Sequence, residues 1–561
     1  MQMKNGPGAA RIAGHLALVL FLLCCGQAVA AAPVPTAPRG TAAAGYADLL
    51  ALYANWQRFA PPPRALGLPD YSAAAMQRKA AALKRLQARL HAIRTTGWPV
   101  EQQVDYELLR AELNGLDFNL RVLMPWARDP AFYATLETEE SDTPAHEGPT
   151  SDALIELWQY SFPLTPAAQQ KLAAELRGVP PFLRQAHGNL TGNARDLWKA
   201  GIGTVRAQAE NLRELEQRIA TPSAELLEAV HAAEAATEEF TRWLEQQAPS
   251  KTGPSGVGKA NYTWNLKHVH LVPLSWDEEV VLLKRELARA HAALRFEEQR
   301  NRALPALVPI ASAEEYERRA NDAVTRYIAF LRDRDVLEVR DFHDPAMRAR
   351  IGHFVPEDKR NFFLIVSHNE PLALFTHFYH WFDHAYMRFQ PSASALRREP
   401  LPYNIWDNRS EGMATAVEEL MMDAGLYDEN PRQRELVWIM LAQRCARGLA
   451  SLYSQANIFD LQQAKAFQVR WTPRGWMRPD LDLLGFEQQL YLRQPGYGTS
   501  YVTGKYLIDE LIKDRSAELG NEFSTRRFFA EFNGAGVIPV SLIRWELTGQ
   551  DDAIRAINAS P

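Results

Sequence analysis

Leu83, Leu86, Leu90 and Ile93 recur at steps of three and four, and "TGWP" then breaks the run. That spacing lays the four side chains along one helical face and gives the helix a stop. Leu109, Leu113, Leu116, Leu120 and Leu123 repeat the pattern more regularly. "LTPAAQQKL" and "ATPSAELLEAV" each place Thr before Pro at a helix start, and "SWDEEVVLLKREL" opens with a Ser-x-x-Glu capping box. Strand-like alternation is scarce, and no segment repeats at a fixed period. The chain reads as mostly α, built of long packed helices.

Its first residues follow another rule. Lys4 and Arg11 precede the apolar run "LALVLFLLCC", and "GQAVAAAP" then offers an Ala-x-Ala cleavage site. Residues 1–31 have the layout of a secretory signal peptide, too short to span a bilayer comfortably. Residues 32–45 form a Pro/Ala/Gly linker, and a periplasmic or secreted protein is expected. Cys24 and Cys25 at the end of the run also leave a lipoprotein open, and no later stretch is apolar enough to cross a membrane. Two helical regions follow, 46–250 and 259–561, divided by "PSKTGPSGVGK". Gly253, Gly258 and Lys259 there match the spacing of a phosphate-binding loop, but Ala260 replaces the magnesium-holding hydroxyl. The preceding segment is also helical rather than a strand, so nucleotide binding is not expected.

Composition narrows the chemistry. A net charge of −5 with no basic block argues against nucleic acid as a partner. After signal cleavage only Cys445 remains, which leaves neither an intramolecular disulfide nor a cysteine-based zinc site. Cys445 sits in the apolar-periodic "IMLAQRCARGLASLY" and reads as a core residue.

One stretch stands apart. "THFYHWFDHAYMR" places three of the fourteen histidines, His377, His380 and His384, within eight residues. A helix from about Glu370 to Phe389, capped by Ser367 or Asn369, would project all three rings from one face. His380 and His384, at i and i+4, have the separation that lets two imidazoles reach one zinc ion. Three buried rings need three sets of partners, which either a metal or a polar cavity supplies. A further ligand is available from "NRSEGMATAVEELMMDAG", where Ser410 reads as an N-cap and Glu411 opens a helix. Thr415 and Glu418 share its face.

With these residues in view, the chain resembles the bacterial family known as domain of unknown function 885, helical and zinc-peptidase-like. "SEGMATAVEE" resembles the family's EGWALYAE motif, with Glu411 and Glu418 on its first and last Glu. "QPGYGTSYVTGKYLIDEL" resembles its PGQALSYKIG stretch, with Pro495, Gly496, Ser500, Tyr501 and Gly504 on matching letters. "QVDYELLRAELN" with "PWARDPAFY", and the C-terminal "FFAEFNGAGVIPVSLIRWEL", resemble the family's two ends. The signature HExxPGHH falls on "HFYHWFDH", which departs from it. His377 and His384 match, but Phe378 replaces the general-base Glu, Trp381 and Phe382 replace Pro-Gly, and Asp383 replaces a His. Without Pro-Gly the helix should run straight.

The resemblance implies a large helical cleft and an exported metallopeptidase-like hydrolase acting on peptides or small amide-containing molecules. Zinc, or another divalent transition metal, would be held by His377, His380 or His384 together with Glu411. Glu418 or Asp383 would activate water in place of position 378, and Tyr501 would donate a hydrogen bond to a developing oxyanion. The alternative is a catalytically inactive relative that binds ligands in the periplasm, its cleft lined by Phe378, Trp381 and Phe382. Metal-dependent chemistry other than hydrolysis is a third class, since imidazole suits iron and copper as well as zinc.

Overall fold

The computed structural model describes residues 45–144, 147–403 and 406–559. The signal-like segment 1–31 and nearly all of the 32–45 linker lie outside them. Among the described residues the periodic segments are helices, and no helix is long and apolar enough to cross a membrane. Leu83 and Leu90 are buried on Ala73–His91, and Leu109, Leu113 and Leu116 on Val100–Phe118. Leu120 and Leu123 fall beyond that helix, in a π-turn over Asn119–Leu123. Thr165 caps Pro166–Leu176 through Ala168 N, and Ser275 and Glu278 form the capping box of Trp276–Arg300.

Two helix starts differ from expectation. The Thr221–Pro222 start moves to Ala224, because Ser223 caps the chain there by accepting from Leu226 N. Ser410 is not an N-cap. The helix carrying Glu411 begins at Asp407, so Ser410 and Glu411 lie inside it with their side chains turned inward.

Residues Ala44–Pro561 form one compact unit. The Arg432–Gln455 helix runs through its interior, buried along nearly its whole length, with Cys445 fully covered. Against it pack Trp276–Arg300 and Tyr497–Leu519, and Asp407–Asp423 packs on the latter. That last pair crosses at glycines. A Cβ on Gly504 would lie 2.0 Å from the Asn408 carbonyl oxygen, and one on Gly412 would lie 2.5 Å from Gly504 Cα. Backbone therefore meets backbone one residue from Glu411.

The "PSKTGPSGVGK" segment is packed rather than open. Val257 N and Gly258 N donate to Gln455, and a Cβ on Gly256 would lie 2.4 Å from carbonyl oxygens of Ser454 and Gln455. Its glycines allow close approach to a helix end, and Lys259 pairs with Asp277.

Among the described residues strand is confined to two short bridges. Arg64–Ala65 pairs antiparallel with Leu68–Pro69, and Leu136–Glu137 pairs parallel with Ile155–Glu156. The second bridge ties both ends of an acidic loop that reaches the histidines.

Candidate metal centre

The segment expected as one helix from Glu370 is built in three pieces. Pro371–Phe375 is helical, Thr376–Phe378 is a 3-10 turn, and Tyr379–Phe389 is an α-helix. The Glu370 side chain, rather than Ser367 or Asn369, caps the start by accepting from Leu372 N. Trp381 and Phe382 sit within the Tyr379–Phe389 helix, but the segment does not run straight, because the 3-10 turn at Thr376–Phe378 interrupts it.

The 3-10 turn changes which rings converge. His380 Nε2 lies 3.0 Å from Glu411 Oε2, and His377 Nε2 lies 3.9 Å from the same oxygen. The three ligand atoms lie within 4.8 Å of one another. Atoms each about 2.0–2.2 Å from one zinc ion sit roughly 3.4 Å apart in tetrahedral geometry. The donor set therefore matches a metal in chemistry and nearly in spacing.

The burial argument is stronger. His380 is 1% exposed and Glu411 is fully buried, and His380 Nε2 and Glu411 Oε2 meet as a buried ion pair at 3.0 Å. Taking both charges out of water is costly, and the pair offers the same two atoms to a metal ion. Charge partly compensates in the ion-free protein. Burial disfavours the His380 imidazolium, but Glu411 overrides this and raises the ring to about 9. Burial likewise acts against the Glu411 carboxylate, but His380 facing it holds it at about 2.

Supporting contacts orient each ring. His377 Nδ1 lies 3.0 Å from Glu418 Oε1 and 3.1 Å from Arg444 Nη2, contacts that hold the ring with Nε2 facing Glu411. Arg444 grips both Glu418 oxygens, at 3.0 and 2.6 Å. His380 Nδ1 meets Ser410 Oγ at 3.4 Å, and Ser410 donates to Asp383.

His384 does not join the group. Its Nε2 is hydrogen-bonded to the Asp142 carbonyl at 3.1 Å, and its ring stacks on Trp381. The i, i+4 pair expected to chelate is thus replaced by His377 and His380 at i, i+3. Asp383 and Glu418 are not placed to activate water either. Asp383 is fully buried against Arg409, 2.9 Å away, and Glu418 is committed to Arg444 and His377.

Tyr501 stacks parallel to His377, with the Arg447 guanidinium 3.7 Å from its ring centre, and its hydroxyl meets that of Tyr497. Burial pushes the Tyr501 phenol well above its ordinary range.

Three groups in the centre were not picked out from the sequence. Tyr497 hydrogen-bonds Glu411 Oε1 and reaches Glu147 Oε1 at 2.7 Å. Asp142, Glu147 and Glu411 offer oxygens that also lie within 4.8 Å of one another. Burial, and then the Asp142 carboxylate, push the Glu147 carboxyl up to about 8. Tyr497 lies one helical turn from Tyr501, a legible signal. The acid-dense stretch "ETEESDTPAHEG" was visible too, but nothing local ties it to histidines more than two hundred residues away.

A cavity of about 510 Å³ opens onto His377 and His380. Glu139, Glu140, Asp142, Arg350, Phe378 and the indoles of Trp158 and Trp381 line its walls. Phe378 stacks on Phe375. A larger cavity of about 670 Å³ lies along the far side of the loop, lined by Trp56, Tyr71, Trp126 and Gln494.

Fold and site together define a helical protein with a buried His/His/Glu group of metal-ligand geometry. The family described as "Bacterial protein of unknown function (DUF885)" matches residues 64–343, and this match supports membership of that family. Asp142 and Glu147 fall within the matched span, and His377, His380, Glu411 and Tyr497 beyond it.

Two solved structures are similar across almost the whole chain. One is a lipoprotein candidate of unknown function from Shewanella oneidensis. It is 14% identical with a TM-score of 0.64, covering 90% of this chain and 99% of that one. The other, a lipoprotein candidate from Colwellia psychrerythraea, is 13% identical with a TM-score of 0.60, covering 91% and 97%. At such identities the likeness speaks for the fold alone. No curated protein matches the sequence.

Proposed function

We propose that this protein is an exported, metal-dependent hydrolase acting on peptides or small amide-containing molecules. The observation that carries the proposal is the buried convergence of His377 Nε2, His380 Nε2 and Glu411 Oε2, ligand atoms within 4.8 Å of one another beside an open cavity. Two imidazoles and a carboxylate suit zinc and also other divalent transition metals. Such an ion, when bound, polarises a carbonyl and lowers the pKa of water.

The chain's own residues supply the rest. Glu418 and Arg444 orient the His377 ring, and Tyr497 holds Glu411 in place. Phe378 cannot accept a proton, so that role passes to Asp142 or Glu147, the carboxylates grouped with Glu411 from the loop side. Trp158, Trp381 and Phe378 give the cavity an apolar wall for a substrate side chain. Export is supported by the signal-like residues 1–31 and by fold neighbours described as lipoprotein candidates.

Hydrolysis of a diverse peptide and amide library by the zinc-loaded protein tests this reading. Turnover abolished by chelation and depressed ~10²–10⁴-fold in Glu147→Gln or Asp142→Asn is the expected result. Zinc-loaded wild type that hydrolyses nothing would instead favour a ligand-binding protein without catalysis, a reading that Phe378 at the family's general-base position supports.

A further inference from the structure

We propose that the larger cavity, of about 670 Å³, is a second binding site that takes a neutral, ring-bearing small molecule anchored on Ser151. The site is independent of the metal reading above. Gly148, Ser151 and Leu154 line it, and they belong to the loop whose Asp142 lines the metal-centre cavity. Pro61 and Pro400 line it too and are exposed, which opens it to solvent. Its volume lies within the ~300–1,000 Å³ usual for small-molecule sites.

Rings and one hydroxyl define what fits. Trp56, Tyr71, Trp126 and Phe132 line the cavity. Tyr71 and Trp126 lie nearly parallel with ring centres 6.4 Å apart, and Phe132 meets Tyr71 edge-on at 4.8 Å. Aromatic ligands match such walls through stacked and edge-on contacts. Ser151, 4% exposed, also lines the cavity, and its Oγ has no hydrogen-bond partner among the described residues. A buried hydroxyl left unpaired is costly, and a ligand N–H or carbonyl supplies the missing partner.

The charges around the cavity are already committed, which sets the ligand's own charge. Lys79 Nζ donates its three hydrogens to the carbonyls of Phe59, Ala60 and Pro61. Arg493 pairs with Asp129 at 2.6 Å and donates to the Pro149 carbonyl, and Asp152 pairs with Arg64 at 2.8 Å. Glu156 accepts from Gln159, and Glu399 is exposed to water. His270 is kept neutral by burial, which lowers its ring to about 4. A charged ligand would give up its hydration here without gaining a counter-charge, whereas a neutral one gives up little.

Fluorescence titration of the full chain with phenylnaphthylamine, a neutral probe that carries an N–H and brightens in apolar surroundings, tests the site. Anilinonaphthalene sulfonate serves as the comparison, because it has the same rings and N–H with a negative charge added. Saturation at one phenylnaphthylamine per chain is expected, with the sulfonate at least ~10-fold weaker. Leu154→Trp fills the cavity and should abolish uptake. Ser151→Ala should weaken binding ~2–10-fold. Being near-isosteric, it tests the site even where the tryptophan variant fails to fold, and thermal melting of both reads folding separately. A wild type without saturable uptake, a sulfonate bound as tightly, or wild-type affinity in Ser151→Ala would overturn the assignment.

Discussion

His380 and His384 differ in what their ring nitrogens meet, and metal binding should divide on that difference. His380 points its Nε2 at the Glu411 carboxylate, 3.0 Å away, whereas His384 spends its Nε2 on the Asp142 carbonyl. His384→Ala should keep the zinc. His380→Ala should lose it, with an affinity drop beyond the ~10–100-fold typical of losing an outer partner. Calorimetric zinc titration of both variants decides, and loss in His384→Ala alone would reverse the assignment. Glu418→Gln makes a different demand. It should weaken zinc ~10–100-fold by loosening His377. It should also destabilise the fold by roughly 3 kcal/mol, because the buried Arg444 loses its counter-charge. Chemical denaturation of the metal-free variant reads the second effect separately from the first.

Helices set the distances between these residues, and the tightest crossing lies beside Glu411. Gly504→Ala would force the Asp407–Asp423 and Tyr497–Leu519 helices apart against the Asn408 carbonyl. Overpacking of this kind costs about 1–3 kcal/mol, and more where backbone must move. The variant should melt earlier and bind zinc more weakly, and a wild-type melting curve would refute the crossing.

Glu279 gives a pH signature at the neighbouring contact. Its carboxyl, fully buried and hydrogen-bonded by Tyr262 and Thr503, is raised by burial to about 7. A group raised in the folded state favours folding below its unfolded pKa, and that advantage is lost as pH climbs through the folded value. Wild type should therefore lose stability between about pH 4.5 and 7 relative to Glu279→Gln, by roughly 3 kcal/mol at most. Melting both proteins at pH 5 and pH 8 tests this, and a pH-independent difference would count against it. Helices like these were legible because each rests on local spacing and caps, as at Leu83 or Ser275. The choice among the three histidines was not, because the 3-10 turn at Thr376–Phe378 rotates His377 away from its α-helical position.

At the scale of the whole molecule, the centre joins parts of the chain that share no local signal. The Leu136–Glu137 and Ile155–Glu156 bridge ties the ends of the acidic loop. Arg493 and Gln494 then hold its middle, through the Pro149 carbonyl and Gly148 N. Glu147 thereby reaches Glu411 and Tyr497 from the N-terminal half. Sequence periodicity reports which face of a segment is buried but not which distant segment covers it, so the histidine and glutamate stretches could be read and the loop could not. A cation at His377, His380 and Glu411 would fasten the histidine segment and the glutamate helix together. The most direct test is a crystal structure of the zinc-loaded full chain with anomalous data at the zinc edge. The account predicts an anomalous peak bound by His377 Nε2, His380 Nε2 and Glu411, with His384 still turned to Asp142. Zinc-replete crystals with no peak there, or with zinc on His384, would contradict it.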